Sequence, residues 1–147
     1  MVNRYLYTIG YEGLSWEEFL KKIKSKRIKV LIDVRAISNS RKRGFSKSEL
    51  KANLTSVGIL YLHLVNLGTP KELRTLLKET GNFRLFAKQY KKRLHEEKEK
   101  ISEVTLLIME KDCCLLCFEK DAEYCHRTII AEEVIEKVHR KLEVVNL

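Results

Sequence analysis

An α/β fold, with a mainly parallel sheet flanked by helices on both faces, is the architecture this sequence predicts, and three observations carry it. Continuous apolar runs stand where strands covered on both faces would lie, at Val30-Leu31-Ile32-Asp33-Val34 and from Cys113 to Phe118. Between such runs, apolar residues recur at the i, i+3, i+4, i+7 spacing of a helix face, as in Trp16, Phe19, Leu20 and Ile23. Strands and helices therefore alternate, which favours parallel pairing through helical crossovers. At 147 residues the chain can bury a real core, and no linker, repeat or low-complexity tract divides it, so residues 1–147 are expected to form a single α/β domain.

Taken in order, Arg4 to Ile9 is a short β-rich run ending in Gly10, a first strand. Ser15 with Glu18 forms a capping box that opens the first helix. Val30 to Val34 is the second strand. Ser46 with Glu49 is a second capping box, followed by Leu50, Leu54 and Val57 on one face and closed by Gly58. Ile59 to Leu64 is a third strand. Thr69-Pro70 predicts a cap with proline at the first helical position, and a helix to about residue 78. Asn82 caps another helix, with Phe83, Phe86 and Tyr90 inward. Residues 102–110 read as helix because a strand, Cys113 to Phe118, follows at once. A last helix starts at Cys125 or His126 and buries Ile130, Val134 and Val138, and Glu143 to Leu147 adds a final strand. The sum is a Rossmann-like three-layer sandwich.

Composition narrows the function classes. Charged residues make up 33% and hydrophobic residues 44%, the balance of a globular chain rather than a disordered one. No run of roughly 18 apolar residues is present, so no membrane partner is expected. Met1 to Gly10 carries Asn3 and Arg4 inside its first apolar stretch, unlike a secretory leader, so a cytoplasmic location is expected and the four cysteines should be reduced. Heavy Lys/Glu use with one glutamine, Gln89, is a pattern of thermophilic proteins. The net charge of +9 is concentrated: Lys21 to Lys51 holds twelve Lys/Arg against Asp33 and Glu49. That basic stretch reads either as a surface that meets an anion or as a solvated lysine-rich face.

In parallel α/β sheets ligands bind outside the carboxyl ends of the strands. Here those ends carry Gly10-Tyr11, Asp33-Val34-Arg35, His63 and Cys117-Phe118-Glu119. An acid beside a buried strand must be paired or used, and Arg35, two residues on, points to the same side as Asp33. The pair is either structural or part of a reacting site. The loop Ser38, Ser40, Arg41, Lys42, Arg43 and Gly44 lacks the G-x-x-x-x-G-K pattern of a P-loop, but its hydroxyls and cations suit a phosphate beside a helix N-terminus. Cys125-His126-Arg127 opens the last helix, where amide dipoles and neighbouring cations favour a thiolate. Cys125 is thus a candidate nucleophile with His126 or Glu119 handling protons, or a packed thiol beside an Arg127 that grips an anion or pairs with Asp33. Cys117, Cys125 and His126, with His63 as a fourth, could supply zinc ligands, but no C-x-x-C or H-x-x-x-H spacing supports this, and no metal or other cofactor is expected.

These motifs carry a resemblance. Thr8-Ile9-Gly10-Tyr11, Ile32-Asp33-Val34-Arg35 with Ser40-Arg41 and Phe45, Gly58-Ile59 with Tyr61 and His63, Leu67-Gly68, Tyr90, Leu116-Cys117-Phe118-Glu119 and Cys125-His126-Arg127 together resemble the family catalogued as domain of unknown function 488. The likeness runs through almost the whole chain and implies a compact α/β fold with these polar motifs grouped together. It implies no activity. Two loop positions depart from the family pattern: Ser38 stands where proline is usual, and Thr69 where a second glycine is usual.

The residues point first to an enzyme, hydrolase-like or otherwise acting on a nucleotide, nucleic acid or other phosphate-bearing substrate. Its catalytic candidates are Asp33, Glu119, Cys125 and His126. Its anion- and substrate-binding candidates are Gly10, Tyr11, Arg35, Ser40, Arg41 and Arg127. The competing expectation is a non-catalytic nucleic-acid-binding module using the basic 21–51 surface.

Overall fold

The computed structural model describes residues 4–138 and 141–147. Five strands form one all-parallel sheet: β1 (Arg4–Gly10), β2 (Val30–Asp33), β3 (Leu60–His63), β4 (Cys113–Cys117) and β5 (Leu142–Asn146), in the order β3-β2-β4-β1-β5. Six helices connect them: α1 (Trp16–Ser25), α2 (Lys47–Ser56), α3 (Lys71–Thr80), α4 (Phe83–Glu96), α5 (Lys98–Glu110) and α6 (His126–Lys137). Short 3-10 turns at Val65–Leu67 and Ala122–Tyr124 follow β3 and β4. No helix among the described residues is long and apolar enough to cross a membrane.

Strand alternation divides the core in two. Leu31, Cys114 and Leu116 face one side and pack with Phe19 and Ile23 of α1 and Leu50 and Leu54 of α2. Val30, Ile32, Cys113, Leu115 and Cys117 face the other, against α4, α5 and α6. Burying both faces is why β4, and β2 up to its terminal Asp33, are apolar rather than alternating. The chain leaves β2 toward the α1/α2 face and leaves β4 toward the opposite face. A crevice therefore opens between the carboxyl ends of these adjacent strands, the place where such sheets bind ligands. Register levels the ends on one rim, with Gly10 opposite Cys117 and Asp33 opposite His63.

The expected three-layer α/β fold is observed, with local differences. Ser15 and Glu18 close both arms of the first capping box. The second box is not formed. Ser46 Oγ donates to Glu49 Oε1 at 2.9 Å, and Glu49 Oε2 reaches past the helix start to accept from the Gly44 N–H at 2.8 Å. Gly44 has φ +92, so the chain turns there in a way that brings its amide within reach of the glutamate. Pro70 is the N-cap of α3 rather than its first residue, and α3 runs on to Thr80, closed by a left-handed Gly81. Val138 caps α6 and is half-buried.

Candidate functional site

At the end of β2 the polar groups saturate one another. Asp33 is fully buried and accepts from Arg35 Nε at 2.9 Å and from Arg35 Nη2 at 2.7 Å, a bidentate pair. Its carboxylate also accepts from the Arg35 N–H and from the Tyr61 hydroxyl at 2.6 Å. Arg35 Nη1 donates to the Phe45 carbonyl at 2.7 Å and to the Tyr11 hydroxyl at 3.3 Å. Burial works against the Arg35 charge, but the Asp33 hydrogen bonds outweigh it and hold the guanidinium charged beyond its ordinary range. Burial, then the bond to Asp33, pushes the Tyr61 hydroxyl up. His63 Nε2 donates to the Arg35 carbonyl at 2.8 Å, and His63, weighed as a possible fourth ligand, is not grouped with Cys117, Cys125 and His126.

The end of β4 is built differently. Cys117 ends the strand, the 3-10 turn brings the chain back, and Cys125 is the N-cap of α6 with no side-chain bond to the helix amides. His126 then turns inward, with Nδ1 3.4 Å from Cys117 Sγ and 3.8 Å from Cys125 Sγ, and Nε2 2.7 Å from the Val34 carbonyl. Tyr90 of α4 packs edge-on against the imidazole, their centroids 5.5 Å apart. The Cys125 sulfur lies 3.4 Å from Glu119 Oε2, so this carboxyl folds inward although the residue as a whole is exposed.

Burial and mutual contact shift the acidities in this cluster in opposite directions. The neighbouring Cys117 thiol draws the Cys125 sulfur well below the ordinary thiol range; burial opposes this, and the His126 contact and the His126 and Arg127 charges assist it. Burial, then the neighbouring Cys125, pushes Cys117 up. Burial and the Cys125 charge raise Glu119. The Cys125 hydrogen bond and charge raise His126 against its burial. The helix N-terminus adds its own positive end beside Cys125.

Arg127 supports this end from below. It is 1% exposed, and its guanidinium donates to Thr8 Oγ1 at 3.2 Å, to the Glu119 carbonyl at 2.6 Å and to the Lys120 carbonyl at 3.3 Å. Thr8 in turn donates to Asn146 of β5. Arg127 thus neither pairs with Asp33 nor offers a free fork to an anion. Gly10 has an equally structural role: a Cβ there would sit 1.6 Å from the Glu119 carbonyl oxygen, so glycine alone lets the loop after β4 cross β1. Gly68 does the same against the Ala36 backbone, at 2.4 Å.

Between the two strand ends lies a cleft of about 360 Å³, within the range of small-molecule sites. Its floor holds Cys117, Glu119, Cys125, His126 and one edge of Arg35. Ile37, Phe118 and Tyr124 stand at its exposed rim, Tyr11 and Thr69 are buried in its wall, and α3 contributes Arg74 and Lys78. Phe118 and Tyr124 are 47% and 57% exposed, large aromatic surfaces left open to solvent. Among the expected site residues, Tyr11, Arg35, Glu119, Cys125 and His126 line this cleft. Asp33 and Arg127 lie beneath it, and Ser40 and Arg41 lie outside it. Ser40 accepts from the Lys42 N–H, Arg41 is exposed, and Lys42 Nζ donates to the Tyr11 carbonyl at 3.0 Å.

Sequence reasoning missed Arg74, Lys78 and Tyr124; it put Cys117 and Phe118 at the strand-end rim and weighed Cys117 as a zinc ligand, but named neither among the catalytic or binding candidates. The i, i+4 spacing of Arg74 and Lys78 puts both cations on one helix face, a signal that was available.

No curated protein matches the chain, and no solved structure does. A family model does, over residues 15–134, a span that takes in both strand ends and every side chain of the cleft except Tyr11. On that match the chain belongs to the family described as domain of unknown function DUF488.

Proposed function

We propose that this chain is a small enzyme acting on a phosphate-bearing substrate of nucleotide size, bound in the cleft between β2 and β4. The observation that carries this reading is the division of labour across one cleft. Cations and open aromatic faces stand at the rim, while an acid stands beside a thiol–imidazole cluster on the floor. Arg74 and Lys78, free of ion pairs among the described residues, suit the phosphate; Phe118 and Tyr124 suit the flat face of a base. Glu119 is the proton carrier, because it is the carboxyl that reaches both the cleft and Cys125. Asp33 positions Arg35 and the wall of the cleft and takes no part in the chemistry.

Titrating AMP and inorganic phosphate into isotope-labelled protein tests the reading. The amides of residues 74–78 and 118–124 should shift. An Arg74→Ala/Lys78→Ala double variant should bind AMP roughly 5- to 30-fold more weakly, since two surface ion contacts contribute up to about 1 kcal/mol each. Unmoved cleft amides, or equal affinity in the double variant, would end it.

A second reading rests on a separate observation. Among the described residues Lys21, Lys22, Lys24, Lys26, Arg27, Arg41, Arg43, Lys47 and Lys51 all face solvent, and none enters an ion pair. Such a surface suits a nucleic-acid backbone. Binding of duplex DNA or single-stranded RNA that falls steeply with added salt supports it; salt-insensitive or absent binding removes it.

A further inference from the structure

The cluster at the end of β4 has the shape of a metal site. The donor atoms of Cys117, Cys125 and His126 all lie within 4.8 Å of one another, and all three residues are buried. Zinc–sulfur bonds of about 2.3 Å and zinc–nitrogen bonds of about 2.0–2.1 Å at tetrahedral angles place sulfur and nitrogen roughly 3.5 Å apart. The two sulfur–Nδ1 separations here are 3.4 and 3.8 Å, on either side of that edge length.

The surroundings of the imidazole point the same way. A carbonyl can only accept, so the 2.7 Å contact between Val34 O and His126 Nε2 fixes the ring proton on Nε2. In the neutral ring, Nδ1 then presents its lone pair to both sulfurs. A backbone carbonyl holding the far nitrogen of a ligating histidine is the usual outer support of such a ligand. Tyr90 fixes the ring plane from the side. Arg127 supplies a buried positive charge that no carboxylate among the described residues pairs, which suits two nearby thiolates.

From this geometry we infer that Cys117, Cys125 and His126 bind one divalent cation of the zinc class, through two sulfurs and Nδ1. Three protein ligands leave a fourth position, and all three residues line the cleft, so that position opens toward the substrate space beside Glu119. The inference goes beyond the proposed reaction and does not depend on it: the cation can be measured with no substrate present.

The full chain, reduced and stripped with a chelator, is titrated with Co²⁺ and then with Zn²⁺. The site predicts one equivalent bound, visible absorption of tetrahedral cobalt with a sulfur-to-cobalt charge-transfer band, and displacement by zinc. Cys117→Ser, Cys125→Ser and His126→Ala should each weaken binding by at least the roughly 100-fold that loss of an outer support alone can cost. The exposed His95→Ala serves as control and should bind as the parent chain does. A cobalt spectrum without the sulfur band overturns the inference, as does affinity retained in the cysteine variants. Should a variant fail to fold, the spectrum of the unaltered protein decides alone. If cobalt binds as described while AMP leaves the cleft untouched, the metal site stands and the proposed substrate falls.

Discussion

Two adjacent strands end on the same rim with opposite chemistry. At the end of β2, one acid meets one arginine, and every strong donor and acceptor finds a protein partner. At the end of β4, two sulfurs, an imidazole and a carboxyl crowd together in contacts of 3.4 to 3.8 Å and shift one another's acidity. The first arrangement is closed by partners within the chain and serves as scaffold. The second gathers titratable groups that shift one another's acidity and line the cleft, and such clusters are what functional sites collect. Buried ionisable residues are therefore not equivalent markers of a site. What separates them is whether their partners are already supplied by the chain.

The contrast is broken most forcefully from the scaffold side. Asp33→Asn leaves the Arg35 guanidinium buried with its countercharge gone, and removal of one partner of a buried pair costs about 3–5 kcal/mol. Urea unfolding should show that loss; a change below about 1 kcal/mol would mean that the pair is not what holds the end of β2. Gly10→Ala tests how the two ends are joined. A methyl 1.6 Å from a backbone carbonyl forces the loop after β4 away from β1, an overpacking cost of about 1–3 kcal/mol, and should weaken cobalt binding because that loop carries the chain from Cys117 to Cys125. Unchanged melting and unchanged cobalt affinity would show that the loop adjusts freely. Glu119→Gln, from the reactive side, should change stability by no more than about 0.5 kcal/mol. On any phosphate-bearing substrate that the parent chain turns over, it should lower turnover by about 100-fold or more. A variant with full turnover would remove Glu119 from the chemistry.

The fold was legible in the sequence because both of its signals are local. Apolar runs at 30–34 and 113–118 mark strands covered on both sides, and Ser15 with Glu18 marks a helix start. The Asp33–Arg35 pair was legible too, as two positions on one side of an extended segment. What escaped was set by contacts between distant elements. The Phe45 carbonyl takes the remaining Arg35 donor and the loop carbonyls take Arg127, so the expected grip of Arg35, Arg41 and Arg127 separates into a scaffold pair, an exposed loop residue and a loop anchor. Cys117, Cys125 and His126 were grouped as possible ligands but set aside, because Cys117 and His126 lie nine residues apart, outside any familiar ligand spacing, and meet through the 3-10 turn and the start of α6. Arg74 and Lys78 belong to a helix whose place over the β2–β4 crevice no local pattern records.

The central claim is that the end of β4 is the reactive one, and alkylation of the four cysteines tests it most directly. Metal-free, folded protein is treated with iodoacetamide and the modified positions are mapped by mass spectrometry over time. Cys125, at the cleft and at the start of α6, should be modified first. Cys113 and Cys114, buried within the sheet core with thiols pushed up by burial, should stay unmodified, and zinc should protect Cys125. Modification of Cys125 no faster than of Cys113 and Cys114, or only on unfolding, would contradict the account.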